Sequence, residues 1–225
     1  MENILKYLKE RPYPGRGIMM GKTLSGKIFY SYFIMGRSVN SRNRVFERTP
    51  DGLRTSACDY ALMSDPSLII YHPVRDLAEG VIVTNGNQSD TIRDFIKSGK
   101  SFYEALYTRE FEPDAPNFTP RISAIYLPKG EFIFSILKTE NGVDCDRFFY
   151  SLRLGPGEAA FISTYEGFGE PRPSFSGEPI RFKLLTEDLR KFSELIWEAL
   201  DEENKVSLYT VMGPDGLVIN KYGRS

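Results

Sequence analysis

Short apolar runs separated by turn residues fill most of this chain, the pattern of antiparallel strands joined by hairpins. Two aromatic-rich runs, Arg16–Gly21 and Lys27–Arg37, flank a turn at residues 22–26 and predict the first hairpin. The other predicted strands are Arg44–Glu47, Leu53–Ser56, Leu68–Val74, Gly80–Thr84, Arg121–Leu127, Glu131–Leu137, Arg147–Leu154, Ala159–Tyr165, Val206–Met212 and Leu217–Asn220. The chain is therefore predicted to consist mainly of consecutive hairpins.

A few segments have the apolar spacing of helices instead. Thr186–Leu200 is the longest, and Thr186 is followed by acidic residues expected in its first turn. Ser89–Ser98 is predicted to be a helix capped by Ser89 or Asp90, and Ser101–Thr108 a shorter one. Residues 2–9 predict an amphipathic helix with one apolar stripe, formed by Ile4, Leu5 and Leu8.

Hairpins with helices between and after them predict an α+β fold in which antiparallel sheets stack and helices cover them. No βαβ alternation is sustained, so a doubly wound parallel sheet is not expected. Residues 166–179 are rich in Gly, Pro and Ser and predict a surface loop, a candidate rim for an active site. The whole chain, 1–225, is interpreted as one domain with a helical extension at residues 1–12.

Composition narrows the function. With 29 basic and 30 acidic residues the net charge is -1, so neither nucleic acid nor a membrane surface is an expected partner. The single histidine, His72, and the separated Cys58 and Cys145 cannot supply a zinc ligand set, which leaves only carboxylates for metal chemistry. Free thiols are the favoured interpretation of the cysteines. No run approaches the ~20 apolar residues of a membrane span, so a cytoplasmic protein is expected.

The densest polar segment is Gly36–Arg44, which holds three arginines, two serines and two asparagines between two apolar strands. Guanidinium groups and hydroxyls suit a phosphate dianion, and a local arginine cluster can bind one within a neutral protein. A solvated turn whose arginines pair with surface acids explains the composition about equally well.

Other polar segments lie at predicted strand ends. Tyr13–Gly17 contains Arg16, and 84–90 joins a strand to a helix start, where backbone N–H groups can bind an anion. The proline-stiffened segment 111–121 carries Glu112 and Asp114, candidates for a general base. The alternative for Tyr13–Gly17 is a structural turn, and the alternative for residues 84–90 is helix capping alone. The alternative for residues 111–121 is an exposed acidic turn.

Together these segments resemble the archaeal-type inosine monophosphate (IMP) cyclohydrolase family. The matching motifs, in order, are Tyr13-Pro14-Gly15-Arg16, Gly36-Arg37-Ser38 followed by Asn43-Arg44, Thr84-Asn85-Gly86, and Asn117 with Thr119-Pro120-Arg121. The resemblance implies a four-layer α-β-β-α sandwich like that of the N-terminal-nucleophile hydrolases. Arg16 heads the first strand where such a nucleophile would stand, so a processed nucleophile is not expected.

The resemblance also implies an activity, the dehydration of 5-formamidoimidazole-4-carboxamide ribonucleotide (FAICAR) to IMP, with no cofactor. It implies catalytic roles for Tyr71 and Glu112, although Tyr71 alone would be an ordinary strand aromatic. The implied substrate contacts are Arg16, Arg37, Ser38, Asn43, Arg44, Asn85, Gly86, Thr119 and Arg121. Family members suggest a homo-oligomer.

This chain departs from the family pattern in its N-terminal extension, in the wider spacing between the Arg37-Ser38 and Asn43-Arg44 pairs, and in the long loop at residues 166–179. Two alternatives therefore stay open. One is a purine-nucleotide-binding module without turnover, and the other is a different nucleotide amide hydrolase on the same fold.

Overall fold

The computed structural model describes residues 1–62, 70–127 and 130–223. Its helices are α1 (Glu2–Lys9), α2 (Val39–Arg42), α3 (Gln88–Lys97), α4 (Phe102–Tyr107) and α5 (Leu189–Ala199), with a 3-10 turn at Tyr60–Leu62. Its strands are β1 (Arg16–Lys22), β2 (Ile28–Met35), β3 (Val45–Thr49), β4 (Gly52–Ser56), β5 (Val74–Leu77), β6 (Gly80–Thr84), β7 (Arg121–Leu127), β8 (Glu131–Lys138), β9 (Asp146–Arg153), β10 (Glu158–Ser163), β11 (Ile180–Lys183), β12 (Lys205–Met212) and β13 (Asp215–Asn220).

The strands form two sheets, and every pairing within them is antiparallel. Sheet A has six strands in the order β11-β10-β1-β2-β12-β13. Sheet B has seven in the order β3-β4-β5-β6-β7-β8-β9, so it is built largely from consecutive hairpins. The predicted antiparallel α+β architecture is confirmed.

Strand periodicity separates the two faces of each sheet. Along β2, Tyr30, Tyr32 and Ile34 enter the core between the sheets, whereas Phe29 and Phe33 join a second core on the outer face. This follows from the two-residue repeat of a strand, which sends successive side chains to opposite faces. Burying each large apolar side chain stabilises the fold by roughly 1.5–3 kcal/mol.

Helices cover both outer faces. Against sheet A, α1 buries Ile4 and Leu8 beside Phe192 and Ile196 of α5. Against sheet B, α3 and α4 bury a third core that includes Ile92, Phe102, Ala105 and Leu106. The predicted four layers, helix-sheet-sheet-helix, are confirmed, and so is the apolar stripe of the N-terminal helix. None of the helices in the described part of the chain is long and apolar enough to cross a membrane.

The strand predicted at Leu68–Val74 is wrong in its position. Leu68 and Ile69 lie outside the described residues, and the strand in this region is β5, Val74–Leu77. Pro73 has no N–H to give to a sheet ladder. Tyr71 is held by Thr55 instead: the Thr55 N–H donates to the Tyr71 carbonyl at 2.8 Å, and the Tyr71 N–H donates to Thr55 Oγ1 at 3.0 Å.

The predicted helix starts need correction as well. Helix α3 begins at Gln88, because Ser89 donates to the His72 carbonyl and Asp90 pairs with Arg75 at 2.6 Å instead of capping. Helix α5 begins at Leu189, because Asp188 accepts the Lys191 N–H at 2.9 Å. Three short elements were not predicted at all: α2, the 3-10 turn and the edge strand β11. Elements of three or four residues are too short to show a periodic pattern.

Candidate active site

A cavity of about 680 Å³ opens at one end of the sandwich, where β1 and β7 begin and β2 and β6 end. Both sheets therefore contribute to it. Its lining consists of Tyr13, Arg16, Arg37, Ser38, Asn40, Ser41, Arg44, Tyr71, Asn85, Gly86, Asn87, Glu112, Pro113, Asp114, Asn117, Thr119, Arg121 and Tyr165. Every residue predicted to form the site lines this cavity, with the exception of Asn43.

Two arginines lie close together in the cavity wall. Arg44 is buried, with 6% of its surface exposed, and Arg16 is half-buried. Burial lowers the pKa of Arg44, and the positive charge of Arg16 lowers it further. The Nε of Arg16 is buried and has no hydrogen-bond partner among the described residues. Like charges held together in this way favour an anionic ligand between them.

The start of β1 places Arg16. The Arg16 N–H donates to Thr164 Oγ1 at 3.1 Å, and the Thr164 hydroxyl donates to the Pro14 carbonyl at 3.1 Å. Gly15 has a φ of +79°, and a Cβ there would lie 2.2 Å from Thr164 Oγ1. Only glycine fits this close approach, so the Pro-Gly pair before Arg16 has a structural reason.

Arg37 and Ser38 form the outer part of the wall. Ser38 caps α2 and is locked to Ser41, whose N–H donates to Ser38 Oγ at 3.2 Å. Arg37 pairs with Glu170 at 3.3 Å, and its guanidinium carbon lies 4.9 Å from the centre of the Tyr13 ring. Because Glu170 belongs to the loop at residues 166–179, that loop does reach the rim of the cavity.

The cavity lining also contains a bidentate ion pair. Arg121 Nη1 lies 2.7 Å from Glu112 Oε1, and Arg121 Nη2 donates to Glu112 Oε2 at 2.9 Å. Only 9% of the Arg121 side chain and 22% of the Glu112 side chain are exposed. Burial lowers the pKa of Arg121, and the Glu112 carboxylate opposes that shift. The pair therefore holds the Glu112 carboxylate in a fixed orientation.

Gln88 and Gly86 pack against this ion pair. Gln88 is fully buried and accepts from Arg121 Nη1 at 2.9 Å. A Cβ on Gly86 would lie 2.7 Å from Gln88 Oε1, 2.8 Å from Arg121 Nη1 and 3.0 Å from Glu112 Oε1. A side chain at position 86 would therefore displace the ends of Gln88, Arg121 and Glu112 from their present positions.

The two acids of this loop have different environments. Asp114 accepts the Thr119 N–H at 2.6 Å and the Thr119 hydroxyl at 2.5 Å, so its carboxylate closes the loop on itself. Thr119 Oγ1 also lies 2.8 Å from the Tyr165 hydroxyl. The Asp114 carboxylate holds the loop backbone, whereas the hydrogen bonds of the Glu112 carboxylate within the described residues go to Arg121.

Tyr71 lies on the segment before β5 and is 6% exposed. Its hydroxyl is 3.0 Å from that of Tyr32, which lies in the core between the sheets. Three cavity cations, Arg16, Arg44 and Arg121, lie within electrostatic reach of this hydroxyl. Tyr71 therefore lines the same cavity as these three arginines.

Asn43 does not line the cavity. Its Nδ2 donates to the Asp59 carbonyl at 2.7 Å, and its Oδ1 accepts the Asp59 N–H at 2.7 Å. Both polar atoms of the amide therefore bind the backbone of Asp59, which is not part of the cavity lining. Asn85 lines the cavity, but its amide is similarly occupied. It donates to the Pro120 carbonyl at 2.8 Å and accepts the Ile122 N–H at 2.9 Å.

Several residues that line the cavity or contact its lining had no role in the sequence-based prediction. Tyr165 was assigned only to the end of a strand. Gln88 and Asn87 follow Asn85-Gly86 directly, and this run of amides after a strand is the signal that could have identified them. Within the described residues, no group of three or more His, Cys, Asp or Glu side chains is placed to hold a metal ion. Cys58 and Cys145 are free thiols, as predicted.

Comparison with solved structures gives a weak match. The Caenorhabditis elegans N-acylethanolamine-hydrolyzing acid amidase (NAAA) ortholog matches with a TM-score of 0.39 and 10% identity, over 88% of this chain and 94% of that chain. A score this low supports no conclusion.

Comparison with known sequences is more informative. The chain is 31% identical over 158 residues to an IMP cyclohydrolase of Methanococcus aeolicus, covering 68% of this chain and 74% of the relative. It is 30% identical to one of Methanosphaera stadtmanae, covering 68% and 74%. A relative of the same name from Methanococcus maripaludis is 28% identical over 91% of this chain and 96% of its own length. The profile of the family described as IMP cyclohydrolase-like protein matches residues 13–216. The chain therefore belongs to the IMP cyclohydrolase-like family.

Proposed function

We propose that this chain is an IMP cyclohydrolase, which closes the purine ring of FAICAR to give IMP and water. The observation that carries the proposal is a cavity lined by two chemically different groups of side chains. One group consists of Arg16, Arg37 and Arg44, and the other is the Glu112–Arg121 ion pair. A monophosphorylated nucleotide with a reactive carboxamide needs both kinds of contact.

Arg37 and Arg44 fit the phosphorylated end of the substrate. Both are charged residues of the cavity lining, and Ser38 lines the same cavity. A phosphate monoester carries nearly two negative charges, and more than one cation is needed to offset its desolvation. On binding, the phosphate would replace Glu170 as the partner of Arg37.

The reaction needs no external nucleophile. The carboxamide nitrogen attacks the formyl carbon of the same molecule, a C–N bond forms, and the formyl oxygen becomes that of a carbinolamine. Water then leaves with this oxygen and two protons, one from the carboxamide nitrogen and one from the formamido nitrogen. Holding the two arms face to face is a large part of the catalysis, because orientation can supply several kcal/mol.

Glu112 moves the proton in this proposal. Arg121 occupies one lone pair on each carboxylate oxygen, at 2.7 and 2.9 Å, which leaves other lone pairs to accept the carboxamide N–H. The acid so formed returns the proton to the departing hydroxyl group. Tyr71 donates a hydrogen bond to the formyl oxygen, and the nearby charge of Arg16 stabilises that oxygen as it becomes negative.

The test is a spectroscopic assay of purified protein with FAICAR, following the formation of IMP. Turnover that depends on Glu112 supports the proposal. Binding of IMP without any turnover of FAICAR would instead identify a nucleotide-binding module. Hydrolysis of a nucleotide amide that lacks the formamido group would identify a different hydrolase.

A further inference from the structure

Tyr32 carries a polar group into the apolar core between the sheets. It lies in the middle of β2 and is fully buried, with its ring 5.6 Å from that of Phe46. A phenylalanine would fill the same space without burying an oxygen atom. Since burying a hydroxyl is unfavourable without a hydrogen bond, the oxygen requires a specific reason.

The only hydrogen bond of this hydroxyl in the described part of the chain joins it to the Tyr71 hydroxyl at 3.0 Å. A phenol has one proton to donate, and a buried donor without an acceptor is costly. If Tyr71 donated to Tyr32, the Tyr32 proton would have no acceptor. Tyr71 lines the cavity, so its own proton can reach solvent or substrate. The arrangement that satisfies both groups has Tyr32 donating and Tyr71 accepting.

Tyr32 keeps its proton at neutral pH. Burial raises the pKa of Tyr32 well above its usual range, and the Tyr71 hydroxyl raises it further. The charges of Arg16 and Arg44 oppose this shift without reversing it. A hydroxyl that stays protonated is a permanent donor to its neighbour.

We propose that Tyr32 is a positioning residue for ring closure: its hydroxyl donates to Tyr71 and so directs the Tyr71 proton into the cavity, toward the formyl oxygen. This inference rests on the proposed cyclohydrolase function. A hydroxyl that accepts a hydrogen bond is also a stronger donor, because linked hydrogen bonds polarise one another. Tyr32 therefore acts on the substrate only through Tyr71.

The experiment compares Tyr32→Phe with Tyr30→Phe. Tyr30 is a matched control, since it is a buried tyrosine on the same face of β2, two residues further from the cavity, with its hydroxyl near Tyr209. Tyr32→Phe is expected to lower kcat about 10-fold, the rate equivalent of one ordinary hydrogen bond, while KM stays within about twofold. Tyr30→Phe is expected to leave both constants within about twofold of the wild type.

A double substitution tests whether Tyr32 acts through Tyr71. Tyr32→Phe is expected to cause no further loss in a Tyr71→Phe background, because the group that it positions is already gone. Additive losses, an unchanged kcat in Tyr32→Phe, or loss of IMP binding by that variant would each overturn the inference. A wild-type protein that does not convert FAICAR would overturn the proposed function and this inference together. The other outcomes overturn this inference alone.

Discussion

Replacing Glu112 by glutamine removes one negative charge and keeps the shape of the side chain. In the structure this carboxylate contacts Arg121 through both oxygens, at 2.7 and 2.9 Å. Glutamine can offer Arg121 only one oxygen, and it cannot accept a proton from the carboxamide. The substitution therefore tests proton transfer by Glu112 while the shape of the side chain in the cavity is kept.

The expected loss in kcat is about 10²–10⁴-fold, the usual contribution of a general acid–base group. Binding of IMP should change little, because the proposed phosphate contacts are made by other residues, Arg37, Ser38 and Arg44. Stability should fall as well, since only 9% of the Arg121 side chain is exposed and Gln88 and Asn87 remain its neutral partners. Losing one charged hydrogen bond costs about 1.5–3 kcal/mol, which lowers Tm by roughly 3–12 °C in a protein of this size.

Asp114→Asn is the matched control, because it neutralises the other acid of the same loop. Asp114 accepts two hydrogen bonds from Thr119, so this substitution should loosen the loop and affect KM more than kcat. Steady-state kinetics with FAICAR and isothermal titration with IMP measure both variants. A near-wild-type kcat in Glu112→Gln, with a collapse in Asp114→Asn, would refute the reasoning and move the catalytic role to Asp114.

Three further predictions follow from individual contacts. Arg16→Met should lower kcat yet leave the unfolding free energy of the ligand-free protein unchanged or higher in urea titrations, since it relieves repulsion with Arg44. Gly86→Ala should lower kcat while circular dichroism stays native, because its methyl group meets the Glu112–Arg121 pair at 2.8–3.0 Å; full activity would show that the pair tolerates displacement. Asn43→Ala should lower Tm and leave KM unchanged, as its amide holds Asp59 and lies outside the cavity; a raised KM would return Asn43 to the site.

The sheets could be predicted because each of their long strands has a recognisable apolar pattern within its own sequence. The side chains of the aromatic run that forms β2 alternate between two cores, and Gly26 and Gly36 lie close to its two ends, so its type and its approximate limits follow from the local sequence. Tyr71 shows where this reasoning fails. Its backbone bonds go to Thr55, sixteen positions away, and a local apolar pattern contains no information about such a distant partner.

The candidate site, too, could be predicted from the sequence only in part. The motif at residues 36–44 identified Arg37, Ser38 and Arg44 as cavity residues, because charged groups at a strand end are accessible to a ligand. It could not separate Asn43, whose amide turns to the Asp59 backbone. Residue type gives the chemistry that a side chain can perform, whereas its direction depends on packing between segments distant in sequence.

The packing between the two sheets also affects the width of the cavity. Arg16 begins a strand of sheet A and Arg121 begins a strand of sheet B, so the gap between these two cavity residues depends on the separation of the sheets. That separation is fixed by the volumes of interior side chains, including the small Ala160 on one sheet and Ala124 on the other. Enlarging either alanine would push the sheets apart at a cost of about 1–3 kcal/mol and lengthen the gap. The dimensions of the hydrophobic core therefore belong to the selectivity of the site, although no core atom need touch the nucleotide.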